Sequence, residues 1–263
     1  IPNDSVLVPN ADVTSPTISC PADQSANFDG TCSYTLIDYT GLATANDNCG
    51  VTVITQSPVA GTVVSANTLI TLTATDPAGH NTSCTFTVVL TDNSIPTINC
   101  PFDVNVNNDV GLCTAIVTYT TPSGSDNCSG SSTSQIAGLP SGSIFPLGTT
   151  TNTFDVTDIG GNSANCSFVV TVNDTENPVA NCQNINAYLD GTGNIGIAGS
   201  DIDNGSTDNC SIASLFPSTS SFSCADIGAN NVTLTVTDGS GNTSTCVAVV
   251  TVSDTTSPTA LCK

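Results

Sequence analysis

Thr68-Leu-Ile-Thr-Leu-Thr-Ala-Thr75 runs into Asp76-Pro77-Ala78-Gly79, and Cys84-Thr-Phe86-Thr-Val88-Val-Leu90 returns from it. Alternating apolar and hydroxyl side chains with β-branched residues mark two strands, and Asp-Pro-x-Gly between them marks a tight turn. The segment is a β-hairpin. The same pattern recurs over residues 153–172 and 232–252, so the hairpin belongs to a repeat.

Three landmarks recur with it. A linker motif, Asp-x-x-x-Pro-x-x-x-Cys, occurs as Asp12, Pro16, Cys20, then Asp92, Pro96, Cys100, then Asp174, Pro178, Cys182, then Asp254, Pro258, Cys262. Asp-Asn-Cys occurs at 47–49, 126–128 and 208–210. The hairpin turn, Asp-x-x-Gly, starts at Asp76, Asp158 and Asp238, and in each copy the turn Asp, a Cys and the next linker Asp are spaced by eight. The period is about 80 residues, which is the signature of a tandem array. The expected boundaries are 12–91, 92–173 and 174–253, with 1–11 a tail or linker of something preceding and 254–263 the start of a truncated fourth repeat. On this reading Cys262 is orphaned by the cut and accounts for the odd cysteine count.

Composition agrees with an all-β protein. Among 263 residues there is no Met, Trp or Arg, one Lys and one Glu, while Thr, Val, Ser, Asn, Asp and Gly abound. A net charge of −21 argues against binding nucleic acid. No apolar run approaches a membrane span, so direct insertion is not expected. Five to seven short strands per repeat predict a series of three small immunoglobulin-like or fibronectin-like β-sandwiches.

Thirteen cysteines without C-x-x-C clusters or histidine partners predict disulfides and an oxidising, extracellular setting. The first two repeats hold Cys20, Cys32, Cys49, Cys84 and Cys100, Cys113, Cys128, Cys166. The third holds Cys182, Cys210, Cys224, Cys246, having lost the early cysteine and gained Cys224. The simplest assignment pairs first with last, giving Cys20–Cys84, Cys100–Cys166 and Cys182–Cys246. The remaining pairs would then be Cys32–Cys49, Cys113–Cys128 and Cys210–Cys224, although these require opposite ends of a strand to meet.

Cys-Pro at 20–21 and 100–101, Asp-Asn-Cys, Phe145-Pro-Leu-Gly-Thr-Thr150 and Asp-x-x-Gly-Asn resemble the hyalin-repeat (HYR) domain. The likeness is closest to the variant found in giant secreted proteins of Bacteroidetes-type bacteria. The third repeat resembles a divergent subtype, with Cys182-Gln183 and Phe222-Ser-Cys224 in place of the usual motifs. The resemblance implies an immunoglobulin-like fold, a surface or extracellular location, a role in adhesion or matrix, and export by the type IX system.

Strand order implies where the acid gathers. If the first strand of a repeat runs downward, its linker, its Asp-Asn-Cys loop and its hairpin turn share one end. This collects Asp12, Asp47 and Asp76, then Asp92, Asp126 and Asp158, then Asp174, Asp208 and Asp238, with Asp254 opening the next set. Two carboxylates about 5 Å apart repel by roughly 3 kcal/mol at an effective dielectric near 20. With no Lys or Arg to neutralise them, bound Ca²⁺ is one answer, since hard oxygen ligands suit it. Asx-turn capping, without metal, is the other.

Several motifs carry no chemistry on this reading. Gly191-Thr-Gly193-Asn-Ile-Gly196 matches a dinucleotide fingerprint but shows no helical signal after it. Asp201-Ile-Asp203-Asn204-Gly205 departs from a calcium loop. His80 occupies a place where the other hairpins have Asn162 and Asn242, so an exposed turn residue is expected. Most aromatics fall at strand periodicity and read as core, with Tyr39, Tyr119 or Tyr188 the candidates to stack on sugar. The function expected is a non-enzymatic structural segment of a long adhesin or filament, its partners neighbouring repeats, copies of itself, or surface glycans. The alternatives are a carbohydrate-binding array and an accessory region of a secreted enzyme.

Overall fold

The computed structural model describes residues 12–51 and 53–257. Residues 1–11 and Cys262, with the expectations attached to them, lie outside that set. The fold is all-β, each repeat an immunoglobulin-like sandwich of short strands, and the chain divides into two compact units. The first unit comprises residues 1–99, 122–134 and 154–166; the second comprises 100–121, 135–153 and 167–263.

In the first unit the quoted hairpin is the centre of a four-stranded sheet. Thr68–Thr75 pairs antiparallel with Asn81–Thr91 on one side and with Val53–Ser57 on the other. Gln24–Asn27 lies parallel to the outer half of Asn81–Thr91 and completes the order. Two small ladders, Thr17–Ser19 with Thr44–Asn46 and Tyr34–Thr35 with Val63–Val64, supply the opposing layer. The alternation decides the packing, because successive side chains on a strand face opposite ways. Ile70, Leu72, Phe86, Val88 and Leu90 turn inward with Leu36 and Tyr39, and the intervening threonines face out. A bridge between Thr97 and Ser125 is also part of this unit.

The second unit repeats the design. Thr243–Ser253 is flanked by Gly228–Asp238, antiparallel, and by Ile185–Tyr188, parallel, with Ile212–Pro217 beyond. Val232, Leu234, Val236, Ala248, Val250 and Val252 form its core with Phe222 and Ile202. From the middle repeat it includes Thr114–Val117 paired with Ser143–Pro146, and Val104–Asn107 parallel to residues 170–173. One helical turn, Gly199–Ile202, stands where no helix is expected from sequence. It is admitted by Gly199, where a Cβ would clash with the Leu215 carbonyl oxygen.

The disulfides differ from expectation in one respect that changes the molecule. Cys20 bonds Cys84 and Cys182 bonds Cys246; Cys100 and Cys166 are also disulfide-bonded. The short pairs Cys32–Cys49, Cys113–Cys128 and Cys210–Cys224 do not form. Cys32 bonds Cys128 and Cys113 bonds Cys210, across 96 and 97 residues, while Cys49 and Cys224 are free and exposed. The reason is geometric. Two short strands and a helical turn separate Cys32 from Cys49, while Cys32 and Cys113 stand within 4.9 and 4.8 Å, Cα to Cα, of the Asp-Asn-Cys cysteine of the following repeat. Tyr39 is core, buried edge-on against Phe86, whereas Phe102, Phe216 and Tyr188 are exposed rather than core.

Leu234 is wholly buried among Val232, Val236 and Val250. Leu234→Ala is expected to destabilise the second unit by about 2–5 kcal/mol in urea unfolding, through lost burial and a cavity. Outward-facing Thr235→Ala should change it by less than about 0.5 kcal/mol.

Candidate functional site: the acidic clusters

Each acidic cluster is assembled from a linker, an Asp-Asn-Cys loop and a hairpin turn. The linker Asp is placed by the strand before it. Leu90 faces inward, so Asp92 two residues on does too; Val172 and Asp174 stand in the same relation. Both carboxylates are buried, at 7 % exposure. The hairpin-turn aspartates continue the same inward faces: Ala74 leads to Asp76, Val156 to Asp158, Val236 to Asp238, all buried.

The turn aspartates are consumed by their own hairpins. The Oδ1 of Asp158 and of Asp238 accepts the backbone N–H four residues on at 2.8 Å, and Oδ2 accepts the Asn162 or Asn242 amide at 2.9 or 2.8 Å. Asp76 accepts the His80 N–H at 2.9 Å, and its Oδ2 lies 2.9 Å from His80 Nδ1. Burial raises the pKa of all three carboxyls, but these hydrogen bonds outweigh it and leave each below its usual 3.8. His80 is thus engaged through its ring, not merely exposed. The same Asn side chains reach the linker, donating to the Asp92 carbonyl at 2.9 Å and the Asp174 carbonyl at 3.2 Å. This tie between turn and linker was missed from sequence. The recurrence of an amide at 162 and 242 four residues after the turn Asp was its only signal.

The Asp-Asn-Cys loops are Asx turns. Asp47, Asp126 and Asp208 accept the N–H of Cys49, Cys128 and Cys210 at 2.8, 3.0 and 2.8 Å. Linker aspartates cap likewise: Asp12, Asp92, Asp174 and Asp254 accept the N–H two residues ahead. Capping therefore uses one oxygen of each linker carboxylate. The other oxygen is left over. Asp12 Oδ2, Asp92 Oδ2 and Asp174 Oδ2 are buried without a hydrogen-bond partner, as are Asp208 Oδ1 and Asn127 Oδ1.

Ligand-type atoms of Asp12, Asp47 and Cys49 lie within 4.8 Å of one another, as do those of Asp92, Asp126 and Cys128, and of Asp174, Asp208 and Cys210. Asp12 also groups with Asp76 and His80. Cys128 and Cys210 are in disulfides and offer no thiolate. Linker and loop carboxylates group in all three repeats, and Asp76 groups with Asp12, whereas Asp158 and Asp238 fall in none of these groups and are engaged in their own hairpins. Asp254 is exposed and caps Thr256. The orphaned oxygens are carboxylate or amide oxygens and fit a hard cation such as Ca²⁺.

The other candidates resolve simply. Asp203 accepts from Gly205 and from the Ser206 N–H and hydroxyl, so residues 201–205 form a closed polar turn. Residues 191–193 form a turn held by Asp190, and Asn194–Gly196 is a short strand paired with Ser221–Ser223. Of the candidate sugar platforms Tyr39 is buried, Tyr119 donates its hydroxyl to the Leu139 carbonyl and packs edge-on against Phe168, and Tyr188 is exposed. No recurrent exposed aromatic marks the described residues; the place of Phe102 is taken by Ala22 in the first repeat.

The family model for the HYR domain matches residues 11–90 and 91–172. The chain belongs to the HYR-domain family. A curated relative, hyalin from Strongylocentrotus purpuratus, is 31% identical over 264 residues, covering 93% of this chain and 21% of its own length. Hyalin from Lytechinus variegatus is 36% identical over 146 residues, covering 53% of this chain and 27% of its own. The chain thus spans about a fifth to a quarter of the length of these relatives. Among solved structures, mouse cadherin-23 repeats EC22–24 have a TM-score of 0.38 at 16% identity, covering 91% of this chain and 99% of that one. Titin domains I67–I69 have 0.36 at 11%, covering 92% and 100%.

Two outcomes follow from the cluster geometry. The folded carboxyls of Asp76, Asp158 and Asp238 hold their protons less tightly than in the unfolded chain. Their contribution is complete above about pH 3.8 and is lost as pH falls through the lower folded values. The melting temperature should therefore drop more steeply below pH 4 in the native chain than in Asp158→Asn. A Cβ at Gly160 would come within 2.6 Å of the Asp92 carbonyl, so Gly160→Ala should cost about 1–3 kcal/mol in denaturant melts.

Proposed function

We propose that this chain is a non-enzymatic structural segment of a secreted or surface-exposed extracellular protein, its repeats joined covalently and rigidified at the acidic clusters by Ca²⁺. The observation that carries the reading is the pair of disulfides, Cys32–Cys128 and Cys113–Cys210, that cross from one repeat to the next. Such bonds persist in oxidising compartments and are rare in reducing ones. A bond of this kind resists separation of adjoining repeats under tension, which a load-bearing or spacing segment requires and a catalytic one does not. Among the described residues no helix is long and apolar enough to cross a membrane.

The acidic clusters support the second half of the proposal. Asp92 and Asp126, and Asp174 and Asp208, each bring two carboxylates together with a buried oxygen that no donor satisfies. A cation would satisfy those oxygens and remove the repulsion, with water completing its coordination. The clusters recur with the repeat, whereas a catalytic site would be unique to one of them. The third repeat lies outside the matched family residues; its sheet order and Asx loops support placing it in the same family as a divergent member.

Extracellular modules bind Ca²⁺ at about 10⁻⁴–10⁻³ M. Ten millimolar Ca²⁺ should then stabilise the chain by about 1.4–2.7 kcal/mol per occupied site. Calorimetry with and without EDTA measures this, and Asp92→Asn and Asp174→Asn should each remove one site's share. An unchanged melting temperature on chelation would refute the calcium half while leaving the covalent half standing.

A further inference from the structure

The third repeat keeps the loop that presents the early cysteine but not the cysteine. Asp29 accepts the N–H groups of Thr31 and Ser33 at 2.8 and 3.1 Å, and Asp190 accepts those of Thr192 and Asn194 at the same distances. The backbone closes identically: Cys32 donates to the Asp29 carbonyl, and Gly193 to the Asp190 carbonyl. Cys32 has φ 55° and Gly193 has φ 77°, so the residue at this place is left-handed in both loops. Gly193 thus stands at the position of Cys32.

Cys224 lies directly against it. Asn194 pairs with Ser223 and Ile195 with Phe222, so the next position of the ladder sets Gly193 opposite Cys224. A Cβ on Gly193 would come within 2.8 Å of the Cys224 Sγ, and the Cys224 thiol donates to the Gly193 carbonyl at 3.7 Å. The sulfur has moved from one strand to the facing strand, and it occupies nearly the volume that a side chain at 193 would take. In the first repeat the residue at that place, Cys32, is the outgoing half of the bond to Cys128, and in the second Cys113, one residue beyond the loop-closing Leu112, bonds Cys210.

The incoming half is equally preformed in the first repeat. Cys49 sits on the Asx turn shared by Cys128 and Cys210, and the neighbouring Asn48 amide lies 3.4 Å from its Sγ, as Asn127 and Asn209 lie 3.7 and 3.6 Å from theirs. Asn127 and Asn209 also donate to carbonyls of the preceding repeat's loop, at Asp29 and Leu112. Both free cysteines are exposed.

We infer that Cys224 and Cys49 are the outgoing and incoming halves of the same inter-repeat disulfide, each taking its partner from a further repeat of this kind. Cys224 bonds the Asp-Asn-Cys thiol of a repeat placed after it; Cys49 bonds the early-position thiol of a repeat placed before it. The reaction is thiol–disulfide exchange with a small-molecule disulfide such as oxidised glutathione. The Cys224 thiolate forms a mixed disulfide and releases one glutathione thiol. The Asp-Asn-Cys thiolate then attacks the Cys224 sulfur and releases the second. Two protein thiols lose two electrons and two protons, and one glutathione disulfide becomes two thiols. The inference uses the joining of repeats and does not depend on Ca²⁺.

The test joins two copies in one polypeptide, residues 1–253 followed directly by residues 12–263, so that Asp12 of the second copy replaces Asp254. Cys262 is changed to Ser. After refolding in a glutathione redox buffer, peptide mapping should find Cys224 of the first copy bonded to Cys49 of the second. Two thiols per molecule should remain alkylatable, one at each outer end. Cys224→Ala in the first copy should leave the junction Cys49 free, and adding Gly193→Cys to it should restore the bond from the other strand. Formation of Cys32–Cys128 and Cys113–Cys210 in each copy reports that the fold is intact. With those bonds present, a junction Cys224 and Cys49 that both stay alkylatable, or that bond other cysteines, would overturn the inference. So would failure of the Gly193→Cys rescue.

Discussion

Side chains two residues apart on a strand share a face, and in this protein that rule reaches past the hydrophobic core. The last strand of the first repeat turns Phe86, Val88 and Leu90 inward, and one step further it turns in Asp92. The strand before it turns in Ile70, Leu72 and Ala74, and then Asp76. A disulfide cysteine, Cys84, lies on the same register eight residues before the linker aspartate. Core, cross-link and acidic cluster are consequences of one alternation. The eight residues from Cys84 to Asp92 are an even number of positions along one strand and its continuation, so the two share a face.

Burying a carboxylate costs free energy unless its oxygens are satisfied. The turn aspartates meet that demand locally, from backbone N–H groups and from a side chain four residues on. In the second and third repeats that side chain is an amide that also holds the linker carbonyl, so the turn and the linker are fixed as one piece. The linker aspartates satisfy only one oxygen by capping. The residual oxygen is what distinguishes these clusters from ordinary Asx turns. It lies where Asp126 or Asp208 brings a second negative charge, and no basic side chain is available in a chain whose single Lys is residue 263.

Disulfides between repeats alter what a repeat is. A separate sandwich of about 80 residues with two internal bridges could unfold without its neighbours. Here each early cysteine is fixed to the adjoining repeat, at a separation near one period plus the loop. Residues 122–134 and 154–166 of the middle repeat group with the first unit rather than the second, so the compact units do not follow the sequence period. The displaced cysteine of the third repeat carries the same lesson. A sulfur can change strands without changing place when two residues face each other across a ladder.

Sequence alone determined the all-β class, the repeat and its period, the inward-facing hairpin residues, and the pairing of linker with loop aspartates. Each follows from local rules: strand alternation, Asx-turn chemistry and fixed spacing. The same rules could not tell Cys32–Cys49 from Cys32–Cys128, because a disulfide depends on which strand ends meet in space, and sequence spacing says nothing about that. Nor could they show that Phe102 and Phe216 lie outside the core, that Gly199 permits a helical turn by yielding space to Leu215, or that Asn162 and Asn242 bridge turn to linker. Those were decided by tertiary packing, where residues from separate segments compete for the same few ångströms.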